Sequence, residues 1–344
     1  VTTMQDVATR AGVSAKTVSR VFNDDPHVTE DTRERVQSAM RELKYVPNML
    51  ARTFREGKSA VIGIAVPDVA DPFFAAVTKG IELAAREHDM AIVVTSLGDN
   101  PALEQSIIET TVRRQIGGLI IAPIAADQSY LARWQDSFPI VFIDRIPTKL
   151  HADYFVEDDF GGAFEATKHL IAHGHRRIAI VGDSTEVPTT KLRLEGYLAA
   201  LADAGLKSEH ELIALGSRDA DAAAHVCKTL LALPDAPTAI FSSNARFSTG
   251  VFPALQALNR TDIALISFGD FPMADVLQPS VSVIDQNPRH VGRVAAERIL
   301  ARIAAPTKKF RRKNVIPVKL IERQSCQGAA VSPSQSSTTP RSSR

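Results

Sequence analysis

From residue 60 to about residue 323 the chain alternates short apolar runs with longer amphipathic stretches, and this rhythm constrains the fold more than any other feature. "VIGIAVP" (61–67), "AIVVT" (91–95), "GLIIAP" (118–123) and "IVFID" (140–144) form one series. "IAIVG" (178–182), "AIFSS" (239–243) and "ALISFG" (264–269) form a second. These runs are β-branched and do not alternate apolar with polar residues, which is the pattern of parallel strands covered by helices on both faces. Between them lie helical patterns such as "PFFAAVTKGIELAAREHD" (72–89) and "RLEGYLAALADAG" (193–205). Strand and helix in alternation predict doubly wound parallel sheets. Two series predict two such lobes with a cleft between them, an α/β domain over residues 60–326.

Two other zones lack the rhythm, as expected for a chain of 344 residues, too long for one typical core. Residues 1–46 are short, polar helical stretches, and residues 47–59 connect them to the α/β domain. Residues 327–344, "QGAAVSPSQSSTTPRSSR", are rich in Ser, Thr and Pro and are expected to be a disordered tail. The N-terminal residues are too polar for an export signal, and no apolar run reaches the ~18 residues of a membrane span, so a cytoplasmic protein is expected. Cys227 and Cys326 are too few for a disulfide framework and have no metal-type spacing. His173 and His175 flank Gly174 at an expected helix end, where basic residues suit the helix dipole without a metal.

"MQDVATRAGVSAKTVSRVFN" reads as two short helices around a tight turn. Val7 and Ala8 face inward, Gly12 supplies the turn, Ser14 caps the second helix, and Val18 and Val21 pack back on the first. Ala15, Lys16, Thr17, Ser19 and Arg20 are then expected to project outward. In a helix-turn-helix these positions reach the major groove, where Lys16 and Arg20 would donate to guanine and Thr17 and Ser19 would bind phosphate or a base edge. A helical hairpin with a solvated face would show the same local pattern. The continuation "VTEDTRERVQSAMRELKYVPNMLARTF" adds a third helix, from a Thr29 cap to Lys44, and a short basic segment.

With Asp6-Val7-Ala8, Ala11-Gly12-Val13-Ser14, Thr17-Val18-Ser19-Arg20-Val21, Tyr45, Pro47-Asn48 and Ala51-Arg52 in place, the chain resembles the LacI/GalR family of transcription regulators up to about residue 325. The resemblance implies a sequence-specific DNA-binding regulator, a repressor switched by a small molecule. It adds Asn23 and the hinge residues Asn48, Arg52 and Phe54 to the DNA-contacting set, with Phe54 as a wedge into the minor groove. It also explains Gly57-Lys58-Ser59, which looks like the end of a phosphate-binding loop. Arg52 stands where such a loop needs glycine and a strand pattern follows, so the segment is a connector.

Ligands of open α/β sheets sit beyond the carboxyl ends of the strands. That rule points to Asp68 through Phe74, Asp144-Arg145, the 183–193 loop, Ser217-Arg218, Asn244 and Gly269-Asp270. The resemblance implies effector contacts from Phe73, Phe74, Thr189, Arg193, Asn244 and Asp270, with Arg145 and Arg218 nearby. Gly269 and Ala245 stand where the family has acids, and Arg218 where an aromatic is common. The expected effector is a neutral sugar or nucleoside; fewer acids and more arginines leave a sugar phosphate or sugar acid as the alternative. The expected partners are double-stranded operator DNA, this effector and further copies of the chain, as a homodimer or tetramer. No catalytic residue, cofactor or metal site is expected. The rival reading is a sugar- or nucleotide-binding protein, or an enzyme, without a DNA role, but no Walker loop, Gly-x-Ser-x-Gly elbow or His-Glu-x-x-His motif is present. The basic run "KKFRRK" (308–313) is expected to be a solvated loop.

Overall fold

The computed structural model describes residues 3–22, 25–43 and 60–326. Asn23, the hinge residues Asn48, Arg52 and Phe54, and the 327–344 tail lie outside the described residues. The chain divides into two compact units, Val1–Ser59 and Ala60–Arg344.

The first unit contains α1 (Met4–Ala11), α2 (Ala15–Phe22) and α3 (Glu30–Glu42). Thr3 and Asp6 cap α1 reciprocally: the Thr3 hydroxyl accepts from the Asp6 amide at 3.3 Å, and the Asp6 carboxylate accepts from the Thr3 amide at 2.7 Å. Gly12, at φ 67°, turns the chain out of α1 in the left-handed region that glycine enters without strain. Ser14 Oγ accepts from the Thr17 amide at 3.1 Å and so caps α2. Val7, Ala8, Ala11, Val18, Val21, Val36 and Ala39 form the core of the three helices. From α3, Arg35 donates to the Ala11 carbonyl at 2.6 Å, clasping the turn. Thr29 sits in cap geometry before α3 but makes no side-chain cap bond.

The second unit is built on two six-stranded sheets. The first contains β1 (Val61–Val66), β2 (Ala91–Ser96), β3 (Gly118–Ile121), β4 (Ile140–Ile143), β5 (Asp153–Glu157) and β11 (Lys313–Ile316), in the order β11-β5-β4-β3-β1-β2. The second contains β6 (Ile178–Gly182), β7 (Ile213–Leu215), β8 (Ala239–Ser242), β9 (Ala264–Phe268), β10 (Ser282–Asp285) and β12 (Lys319–Ile321), in the order β12-β10-β9-β8-β6-β7. Every pairing is parallel except β12 on β10. The fully apolar runs are the buried strands, with one exception: β2 lies at an edge and is largely exposed or half-buried.

Around the sheets lie α4 (Pro72–Arg86), α5 (Glu104–Val112), α6 (Asp159–Ala172), α7 (Pro188–Asp203), α8 (Ala220–Leu231), α9 (Ala245–Ala257) and α10 (Pro288–Ala304). Although α10 comes late in the chain, Val291, Ala295, Ala296 and Ile299 pack in the core of the first lobe beside β1 and α4. The α4–α10 crossing brings backbone onto backbone. A Cβ added at Gly80 would lie 2.2 Å from the Arg289 carbonyl oxygen, and one at Gly292 2.0 Å from that of Val77.

The chain therefore passes between the lobes three times, after β5, β10 and β11. Three short crossovers thus connect the lobes.

Candidate functional site

The strand ends of the two lobes face one another. Asp71 of the first lobe lies within electrostatic reach of Arg246 of the second, and Asp144 within reach of Asp159. Arg193 is at the centre. It projects from α7, is 4% exposed, and directs Nε and Nη2 to Asp159 Oδ1 at 2.7 Å each. Its Nη1 donates to the Ser243 carbonyl at 2.6 Å, and the guanidinium lies 3.9 Å over the Phe268 ring. The fork is thus pinned in plane and orientation.

Asp159 is fully buried in the first turn of α6, after the Asp158 cap that accepts from Gly161 at 3.0 Å. Burial raises its pKa to about 6, Arg193 offsets part of that rise, and the nearby Asp144 charge adds to it. Glu157, at the end of β5, is buried with no hydrogen-bond partner for either oxygen. Burial first, then Asp144 and Asp159, hold it well above the usual carboxylate range.

Asp144 ends β4 at φ 63° and pairs with Arg145, whose Nε lies 3.2 Å from Oδ2. Arg145 Nη1 also donates to the Pro123 carbonyl at 2.8 Å. Asp71 caps α4 by accepting from the Phe73 amide at 2.9 Å. Its burial raises its pKa, offset by that amide and by Arg246. Phe73 and Phe74 meet edge to face, centroids 5.0 Å apart, largely within the first-lobe core. The inner ion pairs are Asp144 with Arg145 and Asp159 with Arg193.

Not every residue expected here joins the cluster. Thr189 is buried in the first turn of α7. Asn244 caps α9, its oxygen accepting from the Arg246 amide at 2.7 Å. Asp270 is gripped by Arg323 at 2.6 and 3.0 Å, a pair that ties the end of β9 to the segment after β12. Arg218 is exposed and makes no ion pair among the described residues. Gly269, at φ 94°, lies in the left-handed region where a side chain is strained, and a Cβ there would stand 2.7 Å from the side-chain oxygen of Gln286, which would have to shift. Sequence reasoning missed Glu157, Asp159 and Gln286. The acidic run Glu157-Asp158-Asp159 looks like a solvated turn, and only its place at a strand end signals otherwise.

On the headpiece, Lys16 and Arg20 are exposed on α2, and Thr17 and Ser19 are half-buried. Arg20 Nε lies 3.6 Å from Asp25, and the Thr17 hydroxyl is 3.0 Å from that of Ser14. Ala15 departs from expectation: it packs against the headpiece core rather than projecting freely, because Val13 and Ala15 close the turn from one side. In the basic run 308–313, Phe310 is flanked by Arg298, Arg302 and Lys308 at 4.8–5.4 Å, while Lys308, Lys309, Arg311 and Arg312 face solvent.

A helix-turn-helix unit joined to two doubly wound lobes with a polar, buried cleft defines a DNA-binding regulator with an effector domain. Residues 3–48 match the family described as "Bacterial regulatory proteins, lacI family". Residues 59–324 match "Periplasmic binding proteins and sugar binding domain of LacI family". The chain belongs to the LacI family of bacterial transcriptional regulators. The ribose operon repressor of Escherichia coli (strain K12) is 31% identical over 329 residues, covering 94% of this chain and 99% of that protein. A lac repressor dimer bound to operator and the anti-inducer ONPF matches with TM-score 0.82 at 25% identity, over 94% of this chain and 99% of that one. A transcriptional regulator CelR–cellobiose complex matches with TM-score 0.68 at 27% identity, over 94% and 100% of the two chains. Among the described residues no helix is long and apolar enough to cross a membrane.

Proposed function

We propose that this chain is a homodimeric repressor whose operator affinity is switched by a neutral, hydroxyl-rich sugar held between the lobes and left chemically unchanged. One observation carries the choice of effector: Arg145 and Arg193 are already committed to Asp144 and Asp159. An anionic sugar would have to displace a buried carboxylate from its guanidinium, at a cost of several kcal/mol per uncompensated buried ion, on the order of ~3–5. A neutral polyol needs no such exchange. Asp159 offers an acceptor and Arg193 its fork, with Glu157, whose pKa burial raises, in the same electrostatic cluster. Phe73 and Phe74 supply an apolar wall, and Thr189 and Asn244 further polar groups. Arg218 and Asp270 belong to the rim, Asp270 acting through Arg323. The names of the ribose operon repressor and of the cellobiose complex support the sugar class.

On the DNA side, the proposed contacts are Lys16, Thr17, Ser19 and Arg20 in the major groove, with Ala15 allowing close approach of the helix. Asn23, Asn48, Arg52 and Phe54 join them on the strength of the family resemblance. Closing the lobes about three crossovers would alter the dimer contacts and so the spacing of the paired hinges.

The test compares thermal stabilisation by matched neutral and phosphorylated sugars, together with release from operator DNA. Binding at a hundredfold excess over Kd contributes about 2.7 kcal/mol. The neutral member is expected to raise the melting temperature and the phosphate is not. Stronger stabilisation by the phosphate would reverse the assignment.

A further inference from the structure

Asp159 stands at the cleft end of α6, and ten residues on, about 15 Å along the helix, the same element carries His169, with His173 as its C-cap. Four residues apart, they share one face, and their ring centroids are 4.3 Å apart. Glu322, just after β12, reaches the same spot, so that one ligand atom from each of the three lies within 4.8 Å of the others.

The hydrogen bonding leaves this group incomplete. His173 Nδ1 is 2.9 Å from the His169 carbonyl, an oxygen that only accepts, so this nitrogen carries the proton. In the neutral ring Nε2 is then a bare lone pair, and it faces Glu322 Oε1 at 3.6 Å. In that state two acceptors would confront each other, a conflict that a cation between them, or a proton on Nε2, relieves. His169 Nε2 is buried and has no hydrogen-bond partner. A carbonyl bonded to the far nitrogen is also the arrangement that orients a metal-binding imidazole.

We propose that His169, His173 and Glu322 form a binding site for a divalent transition-metal ion of the zinc class. Two imidazoles and one carboxylate are a borderline donor set that suits zinc, cobalt or nickel and discriminates against magnesium and calcium. The ligand atoms must close by roughly 1 Å to reach tetrahedral bonds of about 2.0–2.2 Å. Glu322 has that freedom, its side chain being 62% exposed, and the 28% exposure of His173 leaves a coordination position for water. The ion would clip α6 to the segment that follows the third lobe crossover. Arg323, the next residue, holds Asp270 at the end of β9, so the clip would fix both sides of that segment. The His169-x-x-x-His173 spacing is visible in the sequence, but the third ligand, Glu322, lies far along the chain and only the fold brings it there. The histidine pair that flanks Gly174, His173 and His175, is not the one assembled. His175 Nδ1 instead meets the Thr238 hydroxyl at 3.0 Å.

The full-length, untagged protein, stripped with chelator, would be titrated calorimetrically with zinc chloride and its melting temperature followed with zinc and with magnesium. The expected result is one zinc per chain, a rise in melting temperature with zinc and none with magnesium. Affinity should fall about tenfold or more in His173→Gln and in Glu322→Gln. Glu322→Gln alters an exposed side chain and keeps the test valid if a histidine variant fails to fold. No zinc-dependent rise, a rise equal with magnesium, or zinc binding undiminished in Glu322→Gln would each overturn the assignment. So would a pairing of His173 with Glu322 that responds only to pH.

Discussion

Replacing Arg193 with Met keeps much of the stem and removes a guanidinium that is 4% exposed. Asp159 then faces Asp144 with no compensating cation, and the Ser243 carbonyl loses its donor. Breaking a buried pair from one side costs about 3–5 kcal/mol. The pH dependence separates this cause from simple loss of packing. In the wild type the folded pKa of Asp159 is raised to about 6 from 3.8, so its contribution to stability is fully present below pH ~4 and falls as pH rises to about 6. Without Arg193 the folded pKa moves higher and the fall continues. At 1.36 kcal/mol per unit, the 1.5 units between pH 6 and 7.5 make the penalty about 2 kcal/mol larger at pH 7.5 than at pH 5. Calorimetry of the full chain at both pH values measures this, with each kcal/mol expected to shift the melting temperature by about 2–4 °C. Adding Asp159→Asn to the variant should recover most of the loss at pH 7.5, because no charge is then left unpaired. Equal penalties at the two pH values, or a double variant as unstable as the single, would refute the ion-pair reasoning.

Glu157→Gln removes an acid whose folded pKa is raised, so its stability should match the wild type at acid pH and exceed it progressively as pH rises past the ordinary carboxylate range; a pH-independent difference in melting temperature would rule this out. Lys16→Ala should cost ~1–3 kcal/mol and relax preference at one base pair per half-site, read by competition binding on operator variants, whereas uniform weakening would mark a phosphate contact. Gly80→Ala should destabilise by ~1–3 kcal/mol, because the new methyl meets the Arg289 carbonyl; helix propensity alone predicts the opposite sign, so a more stable variant would disprove the close crossing.

The amino-acid sequence by itself determined whatever rests on local periodicity. The helix-turn-helix is legible because its core positions Val7, Ala8, Val18 and Val21, its turn at Gly12 and its cap at Ser14 all lie within one short stretch. The buried strands β1, β3, β4, β6, β8 and β9 are legible because burial on both faces forces continuous apolar runs. β5 escaped notice because its ends are the acids Asp153 and Glu157, the first paired with the distant Arg302 and the second buried with its pKa raised. β11 and β12 are short and polar and find their sheets only after the chain has crossed between lobes. Tertiary structure alone decided the state of the charges. Asp270 was read as an effector contact, yet Arg323, 53 residues on, takes both its oxygens. Arg193 was read as an effector contact, and the fold also pairs it with Asp159, 34 residues before it. A carboxylate's charge and its partner are set by burial and by the geometry of the residues around it. Those quantities come from the packing of remote segments, and no spacing along the chain encodes them.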